Sequence, residues 1–93
     1  MPQLLSFGSY RIFFWSNEGI PIEPVHVHIS NGIPCADATK VWVTKSGKTL
    51  LADPYDKRIP PKVLAHLLKM IEAQNDIIIS EWEKRFGECK FYI

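Results

Sequence analysis

Two histidines stand two residues apart in Val25-His26-Val27-His28-Ile29, and they are the pair in this chain of 93 residues most able to do chemistry. On an extended strand, residues i and i+2 point to the same side, which brings the two imidazoles within about 7 Å of each other. Such a pair can help chelate a metal ion. It can also serve as acid and base in a metal-independent ribonuclease, one ring taking a proton and the other giving one. A third role is plain packing or hydrogen bonding. A closed zinc site needs four ligands and a catalytic one three from the protein, and no spacing brings Glu18, Glu23, Asp37 or a cysteine to the pair. No metal and no cofactor are therefore assigned. Cys35 and Cys89 form no C-x-x-C pair, have no histidine at a telling spacing, and read as free thiols rather than nucleophiles. The chain contains no Gly-rich phosphate loop, no G-x-S-x-G and no H-E-x-x-H.

The elements that must position the histidines read as strands first and helix last. Ser9 to Ser16 is aromatic and β-branched and ends at the turn sequence Asn17-Glu18-Gly19. The prolines between Pro21 and Pro24 bar regular pairing before the Val25 to Ile29 strand, which Ser30-Asn31-Gly32 ends. Ala38 to Thr44 alternates again and turns at Lys45-Ser46-Gly47-Lys48 into the short run Thr49 to Ala52. Pro60-Pro61 then marks a helix start. Leu64, Leu67, Leu68, Ile71, Ile78, Trp82 and Phe86 make one apolar stripe ending near Arg85, with Gly87 as the stop. Asn75 interrupts the stripe, so the helix either runs on, bent, or breaks there with Asn75 or Asp76 as cap; the continuous form is favoured. The fold class is α+β: an antiparallel meander of three to four strands packed on one long C-terminal helix, with residues 1–93 as a single domain. Glu88 to Ile93 is apolar enough to dock or to pair as a last strand.

Parity along these strands sorts the side chains. Val25, Val27 and Ile29 share one face with Val41 and Val43, while His26 and His28 fall on the other with Lys40 and Trp42. In the first strand Arg11, Phe13 and Trp15 separate from Tyr10, Ile12 and Phe14. One face packs on the helix. The other gathers His26, His28, Lys40, Trp42, Arg11, Phe13 and Trp15, the mixture of aromatic and basic groups that protein interfaces favour. The tail, or Leu4, Leu5 and Phe7, could instead cover these rings within the chain.

Composition sets the limits. The apolar share of 46% and the charged share of 23% are those of a globular chain, which excludes disordered, collagenous and coiled-coil classes. No apolar run is long enough to span a membrane, and Met1-Pro2-Gln3-Leu4-Leu5 lacks the features of a signal peptide, so a cytoplasmic protein without membrane partners is expected. The net charge of +1 hides a middle block of +5, from Lys40 to Lys69, between two blocks of −2. Lys40, Lys45, Lys48, Lys57, Arg58 and Lys62 could meet a phosphate backbone or an acidic partner, although no stripe typical of a dedicated nucleic-acid binder is present.

The segment Glu23-Pro24-Val25-His26-Val27-His28-Ile29, the strand Lys40-Val41-Trp42-Val43, and a helix ending in Glu81-Trp82 and Phe86-Gly87 together resemble the bacterial family catalogued as domain of unknown function 4160. The matching positions are Glu23, Pro24, His26, His28, Lys40, Trp42, Asn75 and Trp82. Thr39 stands where the family more often has alanine, and Ile77-Ile78-Ile79 stands where charged residues are more usual, which implies extra burial or a partner contact. The resemblance implies a small bacterial protein, often encoded beside another small protein in the manner of a toxin–antitoxin pair. Two classes of function follow. The first is a non-enzymatic interaction module that binds a partner protein or its own copy, with Glu23, Lys40, Trp42, Arg11 and Trp15 as binding residues. The second is a ribonuclease or nucleic-acid binder with His26 and His28 as catalytic residues.

Overall fold

In a computed structural model the chain is described over residues 3–15, 23–35 and 37–93. The turn expected at Asn17-Glu18-Gly19 and most of the proline segment before Pro24 lie outside the described residues, as do Met1 and Pro2. Five strands form one antiparallel meander in the order β1 (Gln3–Phe7), β2 (Tyr10–Phe13), β3 (His26–Asn31), β4 (Thr39–Val43) and β5 (Thr49–Leu51). Two helices follow, α1 (Pro61–Ala73) and α2 (Asn75–Phe86). The architecture is the α+β meander expected from the alternation, with one strand more at its start. The alternation misses β1 because a bulge between Gln3 and Leu5 puts Leu4 and Leu5 side by side and breaks the period of two.

One face of the sheet carries the core. Ile12, Val25, Val27, Ile29, Val41 and Val43 meet Leu67 and Ile71 of α1 and Ile78 and Trp82 of α2, all buried. Apolar residues at period two on the strands thus pack against apolar residues at helical spacing, the arrangement that lets each element bury its only apolar side. Pro61 occupies the first position of α1, where its missing N–H costs no hydrogen bond. Gly87 ends α2 at φ 82°, a left-handed conformation, and its N–H bonds the Glu83 carbonyl at 2.8 Å. Among Ile77, Ile78 and Ile79, only Ile78 is fully buried, and Ile77 is 47% exposed.

The long helix divides at Gln74, whose φ of −112° and ψ of 20° leave the helical region. The continuous helix favoured from the apolar stripe is therefore two helices in series. Hydrogen bonding nevertheless runs through the joint: the Gln74 N–H bonds the Met70 and Ile71 carbonyls, and its own carbonyl accepts from Ile77 and Ile78. Asn75 does not cap α2. Its Nδ2 donates instead to the Glu72 carbonyl at 2.7 Å, back toward α1.

The joint receives the β4–β5 hairpin. Glu72 Oε2 accepts from both the Thr49 N–H (3.0 Å) and the Thr49 hydroxyl (2.7 Å), and these bonds, with burial opposing and Lys48 and Lys69 assisting, hold the Glu72 carboxyl below its ordinary value. Gly47, buried at φ +87°, sits so close to Asn75 that a Cβ there would lie 3.0 Å from Asn75 Nδ2. Gly47→Ala should therefore cost about 1–3 kcal/mol in urea unfolding, part from the positive φ and part from Asn75. In a double-mutant cycle with Asn75→Ala, only the second part should disappear. Glu72 gives a pH dependence whose sign follows from its lowered folded pKa. Its contribution is complete above the unfolded value near 4.5 and is lost as pH falls through the folded one, so Glu72→Gln should make the acid side of the stability curve shallower.

Candidate functional site

On the face away from the helices, strand register brings the expected residues into rows. His26 lies opposite Trp42, which lies opposite Leu50. His28 lies between Lys40 on β4 and Phe13 on β2, and Ser30 lies opposite Arg11 one step further along. Trp15 follows β2 and reaches back, its ring 5.1 Å from Phe13 and 6.4 Å from His28. His26, His28, Lys40, Trp42 and Trp15 thus form one contiguous cluster, with Arg11 exposed at its far end.

The two histidines have different surroundings. Their ring centroids are 5.0 Å apart and the planes perpendicular. His26 is completely buried, packed edge-on against Trp42 at 5.6 Å and against Trp82 of α2 at 5.1 Å. Its Nδ1 lies 2.9 Å from the Pro24 carbonyl, which can only accept, so the proton of that bond sits on Nδ1. His28 stacks on Phe13 at 5.6 Å and is 9% exposed. Among the described residues, no three of His, Cys, Asp and Glu come together in a way that could hold a metal ion.

Lys40 is held in two ways. Its Nζ lies 3.1 Å from Glu23 Oε1 and 4.3 Å from the centre of the Trp42 ring, so Glu23, Lys40 and Trp42 form a stacked ion pair at the rim. Both charged side chains keep access to water, at 30% and 43% exposure, which limits the pair's contribution to stability. The rest of the basic block is dispersed over the β4–β5 hairpin, the loop before α1 and α1 itself. Arg58 bonds Asp37 at 2.8 Å and Asp56 at 2.6 Å; the Asp37 bond above all raises the guanidinium beyond its ordinary value. Burial tends to raise the Asp56 carboxyl, but the Arg58 backbone N–H and guanidinium help to outweigh it and hold it low. Cys35 and Cys89 are both free; Cys89 is pushed up by burial and by the nearby Glu83 carboxylate.

Two further residues, Tyr92 and Leu50, join the cluster. Tyr92 stacks on Trp42, with centroids 4.8 Å apart and planes 4° from parallel. It arrives there because residues 88–93 strap back across the sheet, with the Val25 N–H on the Lys90 carbonyl and the Lys45 N–H on the Ile93 carbonyl. The tail is one of the two covers expected for these rings, and Tyr92 on Trp42 shows that it does cover one of them. Leu50, 40% exposed, joins through the β4–β5 register alone. Leu5 and Phe7 pair with Ile12 and Tyr10, which puts them on the helix side and not over these rings.

His26→Ala should cost about 2–4 kcal/mol in chemical denaturation, because it empties a fully enclosed site. His28→Ala, at the edge of the same cluster, should cost less. Tyr92→Ala should cost about 1 kcal/mol and should increase acrylamide quenching of Trp42, measured in a Trp15→Phe background.

No curated protein and no solved structure matches this chain. The family described as "Domain of unknown function (DUF4160)" matches residues 9–83, a span that runs from the turn before β2 to the second half of α2 and takes in the histidine pair, Lys40, Trp42, Asn75 and Trp82. By that match over most of its length, the chain belongs to the DUF4160 family.

Proposed function

We propose that this protein is a non-enzymatic interaction module whose outer sheet face, built on Trp42, Trp15, Lys40 and Glu23, with Arg11 at one end, engages a partner protein. The observation that carries this reading is the gradient of exposure across that face. Trp42, Trp15 and Lys40 are half-buried and Leu50 is 40% exposed, while His26 beneath them is sealed. A rigid floor under partly exposed aromatic rings is the arrangement in which burial by a partner yields most binding energy, since the rings lose little freedom on binding. The family resemblance suggests a neighbouring gene product as the first partner to try, in a cytoplasmic two-gene module of the toxin–antitoxin kind. No helix among the described residues is long and apolar enough to cross a membrane.

A ribonuclease using His26 and His28 is the second reading, and the 5.0 Å separation of the rings is what favours it. Against it, His26 has no exposed surface with which to meet a substrate. The phosphate-binding role of the basic block is also weakened where carboxylates already engage its members, Glu23 at Lys40 and Asp37 and Asp56 at Arg58.

One set of measurements separates the two. Purified wild type, Trp42→Ala with Trp15→Ala, and His28→Ala are each mixed with the neighbouring gene product and, separately, with a labelled single-stranded RNA. The module reading expects the double tryptophan variant to lose the protein complex, His28→Ala to retain it, and the RNA to remain uncleaved. Cleavage that His28→Ala abolishes, with RNA affinity falling steeply as salt rises, would replace it with the nuclease reading.

A further inference from the structure

The chain itself already occupies part of the face assigned to the partner. Residues 88–93 leave α2 through Gly87, at φ 82° with open space where a side chain would be, and run on as neither helix nor strand. Two main-chain bonds fasten this strap across the end of the sheet: the Val25 N–H donates to the Lys90 carbonyl at 2.8 Å and the Lys45 N–H to the Ile93 carbonyl at 2.9 Å. Cys89 and Phe91 pack on the core, whereas Tyr92 stacks on Trp42 of the outer face.

The hold is light. None of residues 88–93 is buried; Cys89 and Phe91 are half-buried, Tyr92 is 55% exposed and Ile93 68%. A segment with so little buried surface and so few main-chain bonds opens at a lower free energy than the sheet beneath it. The seat under the strap is more demanding than the strap's own hold. Trp42 takes a second ring flat against it, at 4.8 Å and 4° from parallel. Val25 is fully buried, and its N–H is satisfied only by a carbonyl from a distant part of the chain. Any other occupant that excludes water must return an acceptor to that N–H, which an extended main chain supplies and a wall of side chains supplies poorly.

We infer that residues 88–93 are an autoinhibitory strap: Tyr92 holds on Trp42 the place of an aromatic side chain of the partner, which binds by displacing the strap with an extended segment of its own. That segment sets an aromatic ring on Trp42 and carbonyls on the Val25 and Lys45 N–H groups. The inference rests on the outer face being the partner's docking surface, and adds what must leave that face and what kind of segment arrives. Since only molecules with the strap open can accept the partner, each interaction that closes the strap weakens binding in proportion.

The test uses the full chain and the purified product of the neighbouring gene. In the free protein, native-state hydrogen exchange in sub-denaturing urea reads the strap. The Val25 and Lys45 amides should share one opening free energy that is nearly independent of urea. The Val43 amide, bonded to the Val25 carbonyl within the sheet, should follow urea steeply. In titrations with the partner, Tyr92→Ala should bind about fivefold more tightly than wild type, because no ring stack has to be broken, and Tyr92→Phe should bind like wild type. The inference is overturned if Val25 and Lys45 exchange only with the urea slope of Val43. It is equally overturned if a complex forms and Tyr92→Ala binds no more tightly than wild type, an outcome that leaves the interaction reading standing. Failure of wild type and Tyr92→Ala alike to form a complex overturns the interaction reading, and this inference with it.

Discussion

The hydrogen bond from the His26 Nδ1–H to the Pro24 carbonyl lies at the centre of the outer sheet layer, and much of the molecule is arranged so that this polar ring can be buried there. A buried imidazole without a partner would oppose folding by a few kcal/mol, so the chain before β3 must bring a carbonyl to it. Around the ring three further aromatics close in: Trp42 from the neighbouring strand, His28 from the same strand, and Trp82 from α2. Strand β3 is consequently buried on both sides, Val27 and Ile29 toward the helices and His28 and Ser30 away from them, with His26 enclosed between Trp42 and Trp82. Because side chains alternate with period two, a slip of one residue would exchange valines for histidines, so both layers hold the register together.

Trp82 links the layers. It belongs to the core cluster and packs on Phe14 and Phe86, yet its ring also meets His26. Its position depends on where α2 starts, and α2 starts where α1 ends at Gln74. The joint is in turn held against the sheet by Glu72 on Thr49 and by the close fit of Asn75 under Gly47. Asn75 at the apolar stripe of the helix is thus a structural residue: it closes a backbone carbonyl of α1 and shapes the seat for the hairpin.

Charge is managed locally. Lys40 with Glu23, and Arg58 with Asp37 and Asp56, balance part of the positive middle block within a few ångströms. Lys62 and Lys69 are exposed on α1, and Lys69 helps to hold the Glu72 carboxyl low. What reads along the chain as one basic block is thus partly neutralised where carboxylates meet it.

The sequence by itself determined what short-range periodicity can encode: the two faces of β2, β3 and β4, the hairpin at Lys45 to Lys48, the helix start at Pro60-Pro61, the stop at Gly87, and the family to which the chain belongs. It also placed His26, His28, Lys40, Trp42 and Trp15 on one face, because parity within each strand suffices for that. The bulged β1 was not legible, since its irregularity erases the alternation. Nor was the choice of Gln74 for the helix break, which the docked hairpin accompanies. Only the tertiary structure decided that His26 is sealed while Trp42 stays half open, that Tyr92 stacks on Trp42, and that Arg58 is engaged by two carboxylates. Each of these depends on groups brought together from separate elements by strand register and chain path, and long-range contacts of that kind leave no periodic trace in the residues that make them.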